Sequence, residues 1–156
     1  KIFSVISEAI EKYKNGNLIF FESNTLQNDK KKFVNLFLEN KTKKFQIKGS
    51  SYSGEADIDC IIGNWWNSKI LESDKQISPL SGTIKEQVVT FLGTENLIIN
   101  NTTYTTEHFT LMSKDKNMPE DKKLNFEIWY NKKNNLIMKV SYSRMGEWEY
   151  VLKKFE

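Results

Sequence analysis

Between Leu124 and Phe155 apolar and polar residues alternate through three strand-length runs joined by short polar turns. Leu124, Phe126, Ile128 and Tyr130 fall on one side of the first run, and Leu136, Met138, Val140 and Tyr142 on one side of the second. Trp148, Tyr150 and Leu152 do the same in the third. A period of two is what a strand with one buried face requires. The connectors, Asn131–Asn135 and Ser143–Gly146, have hairpin length and turn composition. The class is therefore mainly β and antiparallel. Trp129 breaks the alternation by placing a large apolar ring where a polar residue is due. It marks a second covered face, a partner or a ligand.

The same reading extends upstream. Ile6–Lys14 reads as a strand, although Ile2, Phe3, Ile6, Ala9, Ile10 and Tyr13 would also line one side of a helix. Asn15-Gly16 decides for the strand, since Asn-Gly before the β-rich run 18–21 is the strongest short hairpin signal. Further strands are expected at 33–39, 45–47, 83–92, 97–100 and 104–112, with 49–54, 78–82 and 100–103 as turns or loops. Residues 114–123 form a charged surface loop, and 68–72 supply the one short helical turn, near 64–72. Roughly nine or ten strands, mostly neighbours in sequence, give a single curved up-and-down sheet, a half-barrel or small barrel. The 156 residues make one β domain, 1–156.

Several functions are disfavoured by composition. The net charge is +3, and of 23 basic residues only Arg144 is arginine. Nucleic-acid readers favour arginine for its bidentate fork, so no nucleic-acid partner is expected. The clusters Lys30–Lys32 and Lys43-Lys44 read as solvated turn and edge lysines. No run approaches the roughly 18–20 apolar residues of a membrane span, so no transmembrane segment is expected. The single Cys60 has no internal disulfide partner. The chain starts at Lys1, and N-terminal strands or a leader upstream are expected to be missing from it.

Chemistry has few footholds. His108 is the only histidine, and Asp57, Asp59 and Cys60 match no common zinc or calcium spacing, so neither a metal nor a cofactor is expected. There is no G-x-S-x-G elbow, Walker loop or G-x-G-x-x-G, and no catalytic residue is assigned. His108 shares a strand face with Tyr104, Thr106, Thr110 and Met112, as a hydrogen-bonded histidine at a sheet surface or cavity wall. Adjacent Trp65 and Trp66 on an extended segment must point opposite ways. They pack in a core and a lid, or they form the aromatic wall of a ligand site.

The order Gly63-Asn-Trp-Trp-Asn67, Ile70-Leu71, Leu80-Ser-Gly-Thr-Ile84, Tyr104 with His108-Phe-Thr-Leu111, Phe126-Glu-Ile-Trp-Tyr130 and Glu149-Tyr-Val-Leu152 resembles a family of exported bacterial β-proteins of unknown function. That family is distantly similar to the LolA/LolB-like lipoprotein-localisation half-barrels. The resemblance covers residues 6–153 and implies a curved sheet with a concave apolar face, in the periplasm.

Together these features imply a periplasmic or exported, non-enzymatic protein binding an apolar or amphiphilic ligand, a lipid or lipoprotein acyl chain. Trp65, Trp66, Asn67, His108, Trp129 and Tyr130 are its expected ligand-binding residues. Two other readings stand beside it: an interaction or structural module pairing through an exposed sheet edge, and a small enzyme using His108 as acid or base. Oligomeric state is open.

Overall fold

The computed structural model describes residues 4–142 and 148–151, the last strand's residues 148–150 and Asp121 by backbone alone. The Ser143–Gly146 connector, Ile2, Phe3, Leu152 and Phe155 lie outside the described residues. The described chain is mainly β, its strands arranged as antiparallel sheets that do not close into a barrel. Its helical content among the described residues is two short 3₁₀ turns, Ser68–Leu71 and Glu120–Lys122. The chain divides into two compact units.

The first unit comprises Lys1–Gly63 and Lys75–Lys85. Strands β1 (Val5–Lys14), β2 (Asn17–Gln27), β3 (Lys30–Glu39), β4 (Lys44–Gly49) and β5 (Ser53–Asp57) pair in chain order, all antiparallel. Asn15 and Gly16 sit at φ 52° and 78°, and Asn28 and Asp29 at φ 47° and 65°. These are the two positive-φ positions of a type I′ hairpin turn, which matches the right-handed twist of the flanking strands. The expected loop at 49–54 is shorter than composition suggests, since Ser53 and Gly54 already pair with β4. A short parallel pair, β6 (Ile61–Ile62) and β7 (Lys75–Ile77), completes the unit.

Its core is Phe21, Val34, Leu36, Phe45, Ile47, Ala56, Cys60, Ile62 and Ile77, with Phe21, Val34 and Ile77 fully buried. Each large apolar side chain so buried contributes on the order of 2 kcal/mol. The β1 strand stands apart from that core. None of its residues is buried, and Val5, Ile6, Ile10 and Tyr13 are 43–63% exposed.

The second unit comprises Asn64–Asp74 and Glu86–Glu156. Its strands are β8 (Ile84–Ile99, its first two residues counted with the first unit), β9 (Thr102–Ser113), β10 (Asn125–Asn131), β11 (Leu136–Tyr142) and β12 (Trp148–Val151). They are hydrogen-bonded in the order β12-β11-β10-β9-β8, again a meander of sequence neighbours. The two expected strands at 83–92 and 97–100 are one strand of 16 residues. What resembles a turn between them is a bulge: the register with β9 shifts between Phe91 and Gly93, and Gly93 takes φ 145°. A glycine there lets the strand absorb the extra residue and continue. Asn100 and Asn101, at φ 51° and 64°, form the tight turn into β9.

Pairing assigns the two faces of this sheet. Val89, Phe109, Leu111, Phe126, Ile128, Val140 and Tyr142 oppose one another across the strands and share the first face. Leu111, Ile128 and Val140 are fully buried there. Thr90, His108, Thr110, Glu127, Trp129 and Lys139 share the second. The alternation read from the sequence matches this division at Phe126, Ile128, Val140 and Tyr142. The register shift between Trp129 and Tyr130 sets Ile137 opposite Tyr130 and Leu136 opposite Asn131, so the expected alternation of β11 breaks at Met138.

Candidate functional site on the second unit

The six residues expected to bind ligand all belong to the second unit, but they divide between the two faces of its sheet. On the first face, Trp65 stands edge-on to Phe126 at 4.8 Å between ring centroids, and Phe126 in turn stacks on Tyr142 at 4.9 Å. Trp66 turns the other way and is 63% exposed. The pair sits in a bend between β6 and the 3₁₀ turn, not on the extended segment expected from the sequence. Asn67 caps the 3₁₀ turn, its Oδ1 accepting from the Lys69 N–H at 3.1 Å. The Tyr130 hydroxyl donates to Asn135 Oδ1 at 2.6 Å, and the Ser68 hydroxyl donates to the same oxygen at 2.8 Å. Asn135 itself has φ 55° in the β10–β11 turn. Trp65, Asn67 and Tyr130 therefore fasten residues 64–74 over this face, with Ile70 fully buried. Gln87 secures the same segment by donating from Nε2 to the carbonyls of Ile70 and Ser73 at 2.9 and 2.8 Å.

On the second face His108 and Trp129, directly opposite one another on β9 and β10, stack with centroids 4.4 Å apart and planes 9° from parallel. The indole N–H donates to Glu95 Oε2 at 2.6 Å, and Lys139 Nζ lies 4.7 Å from the indole centroid. Such a cation over a ring face is held by the ring quadrupole. The imidazole lies between two carboxylates, with Nδ1 3.5 Å from Glu95 Oε1 and Nε2 3.2 Å from Glu127 Oε1. Trp129 and His108 are only 8% and 9% exposed. Burial of Trp129 answers the irregularity it makes in the sequence: the second face carries its own packed layer, in which a histidine and a lysine sandwich the indole.

Both ring nitrogens lie near a carboxylate, and the buried Nε2 makes no hydrogen bond among the described residues. The two carboxylates approach different edges of the ring and do not converge on one point. Among the described residues no group of three or more His, Cys, Asp or Glu is placed to hold a metal ion. No described helix is long and apolar enough to cross a membrane. In the first unit Cys60 is 7% exposed, and burial together with the nearby Asp59 carboxylate pushes its thiol pKa up. That protonated, sheltered thiol is a poor nucleophile and ligand.

Farther along the same second face lies an open cavity of about 660 Å³. Val88 and Met112, a directly paired couple on β8 and β9, form its floor with Leu124, while Lys114, Lys116 and Lys123 stand at its rim. Thr110 lines it too and sits two residues from His108 and opposite Glu127. Val88 and Met112 are 48% and 46% exposed, an apolar pair left open on a sheet face. Asp115 and Glu120 are also in its wall, and Lys123 Nζ contacts Glu120 Oε1 at 2.6 Å.

None of these cavity residues was among the six singled out in the sequence. The usable signal was Met112 in the alternation of the His108 strand. The lysines were read as solvated loop charges, because sequence does not show that 114–123 closes over one end of a sheet. No curated protein and no solved structure matches this chain. One family model does match, over residues 1–153, and the chain accordingly belongs to the domain of unknown function family DUF6134.

Proposed function

We propose that this protein is a non-enzymatic carrier or sensor that holds an anionic amphiphile, a single acyl chain with a carboxylate or phosphate head, in the cavity beneath residues 114–124. The observation that carries this reading is the make-up of that cavity. Its volume of about 660 Å³ falls within the usual few-hundred to one-thousand Å³ range of small-molecule sites. Its floor of Val88, Met112 and Leu124 suits a hydrocarbon chain, and the ammonium groups of Lys114 and Lys116 suit the charged head, while Lys123 is held by Glu120. A periplasmic setting and kinship with lipoprotein-carrying half-barrels draw support from the resemblance to exported bacterial β-proteins, and from antiparallel sheets that stay open.

Titration with dodecanoate, followed by calorimetry and by amide shifts of β8 and β9, tests the reading. Dodecanoate should bind and dodecyltrimethylammonium should bind at least tenfold more weakly. Met112→Asp should abolish binding while leaving the fold intact, since Met112 is half exposed. Equal binding of both amphiphiles, or of dodecanoate to Met112→Asp, would remove the assignment. Cell fractionation of the full gene product checks the compartment.

A further inference from the structure

Among the described residues β1 is an edge strand. In the five-stranded sheet it pairs only with β2, so among the described residues its outer row of N–H and C=O groups faces no strand. Edges of this kind are open to pairing with another chain unless something blunts them. Ten residues long, β1 carries apolar side chains on both faces: Ile6 and Ile10 on one, Val5, Ala9 and Tyr13 on the other. The opposite edge of that sheet differs. The β5 strand has five residues, and its Glu55 is engaged within the sheet by Lys44 at 3.7 Å and Gln46 at 3.1 Å.

The charges of β1 select a partner. Glu8 and Lys12 lie on the Ile6–Ile10 face, four residues apart with Ile10 midway between them. We infer that β1 pairs antiparallel with β1 of a second copy of this chain about a twofold axis at Ile10, joining the two sheets edge to edge. In that register Ile10 faces its own copy, and each Glu8 lies directly opposite the partner strand's Lys12, giving two complementary pairs by symmetry. Neighbouring registers are worse. An axis at Ala9 makes no charge pair, and an axis at Glu11 pairs Glu8 with Lys14 but opposes Glu11 to its own copy at the centre. The same four charged residues that discourage indiscriminate edge pairing thus favour the arrangement with two opposite-charge pairs and no like-charge pair. Exposed Leu26, Phe33 and Phe37 continue the apolar surface across β2 and β3 on the Ile10 face.

A single-strand interface is small, so dimerisation should depend on concentration. Sedimentation velocity over a concentration series of the whole chain reads it directly, with circular dichroism confirming the fold of each variant. The wild type should show a reversible monomer–dimer equilibrium. Glu8→Lys turns two attractions into two repulsions and should weaken association roughly tenfold or more, and the double exchange Glu8→Lys/Lys12→Glu should restore it. A protein monomeric at every concentration overturns the inference, as does a dimer indifferent to Glu8→Lys or a double exchange that fails to rescue. Binding of some other protein to β1 of a monomeric chain would likewise overturn it.

Discussion

Truncating Trp129 should expose how much of the second unit depends on the layer outside its main core. The indole is 8% exposed, stacks on His108 at 4.4 Å, carries Lys139 at 4.7 Å and donates to Glu95 at 2.6 Å. Trp129→Phe keeps a ring for the stack and for the lysine but loses the N–H donor. Glu95 is half exposed, and water can replace the lost donor, so the cost should be about 1 kcal/mol. Trp129→Ala removes the ring altogether, at about 3–5 kcal/mol for a buried aromatic. Part of that loss, about 0.5–1.5 kcal/mol, belongs to the aromatic stack itself. With a urea slope of about 2 kcal/mol per molar, the midpoint should fall by about 0.5 M for the phenylalanine variant and about 1.5–2.5 M for alanine. Urea denaturation followed by far-ultraviolet circular dichroism measures both. If the alanine variant fell by no more than the phenylalanine one, the indole would not be a packed element, and the second face would be an ordinary solvated surface.

Asn135→Ala should cost about 1–2 kcal/mol, because it deprives both Tyr130 and Ser68 of an acceptor and puts alanine at φ 55°; hydrogen exchange should rise across 64–74 in particular. Gly93→Ala should destabilise by about 1 kcal/mol or more through strain at φ 145°, seen as a lowered melting temperature with no loss of Gly93-independent contacts, since nothing crowds its Cβ position. Cys60 should resist alkylation near neutral pH in the folded protein and react at once in denaturant, since burial both raises its pKa and blocks access. The sign of the linked pH effect follows: the folded state holds the thiol proton more tightly than the unfolded chain. That contribution to stability is complete below the ordinary pKa of 9.0 and is lost as pH rises through the higher folded value, so stability should decline on the alkaline side and Cys60→Ser should flatten the decline.

Local pattern carried most of the fold and little of the site. Alternation named the face of Phe126, Ile128, Val140 and Tyr142 because a strand's side-chain period is set by backbone geometry alone. It failed at Leu136 because an irregular register in the β10–β11 pair is not a local signal. Asn15-Gly16 named its hairpin because two positive-φ residues in a row admit few side chains. The strand through Gly93 was divided in two for the same local reason: a glycine followed by Thr94-Glu95-Asn96 interrupts the apolar pattern whether the chain ends a strand or bulges. The candidate residues scattered because partnership across strands is a matter of register. Trp129 was visible as an irregularity, yet only the pairing of β10 with β9, and of β9 with β8, brings His108 and Glu95 to it. The Val88–Met112 couple was hidden because each residue, taken singly, is an ordinary apolar member of a strand.

The chain visits its two units in alternation: it leaves the first at Gly63, spends 64–74 in the second, returns for 75–85 and then departs for good. A single cut therefore frees neither unit. A fragment ending at Gly63 lacks Ile77, a fully buried member of the first core, and a fragment beginning at Glu86 lacks Ile70 and Trp65. On a ribosome the first core would wait for residues emerging after an excursion, and its completion would coincide with the start of β8. Dissection of this protein would call for a spliced gene, with a short linker in place of 64–74, and not for a truncation.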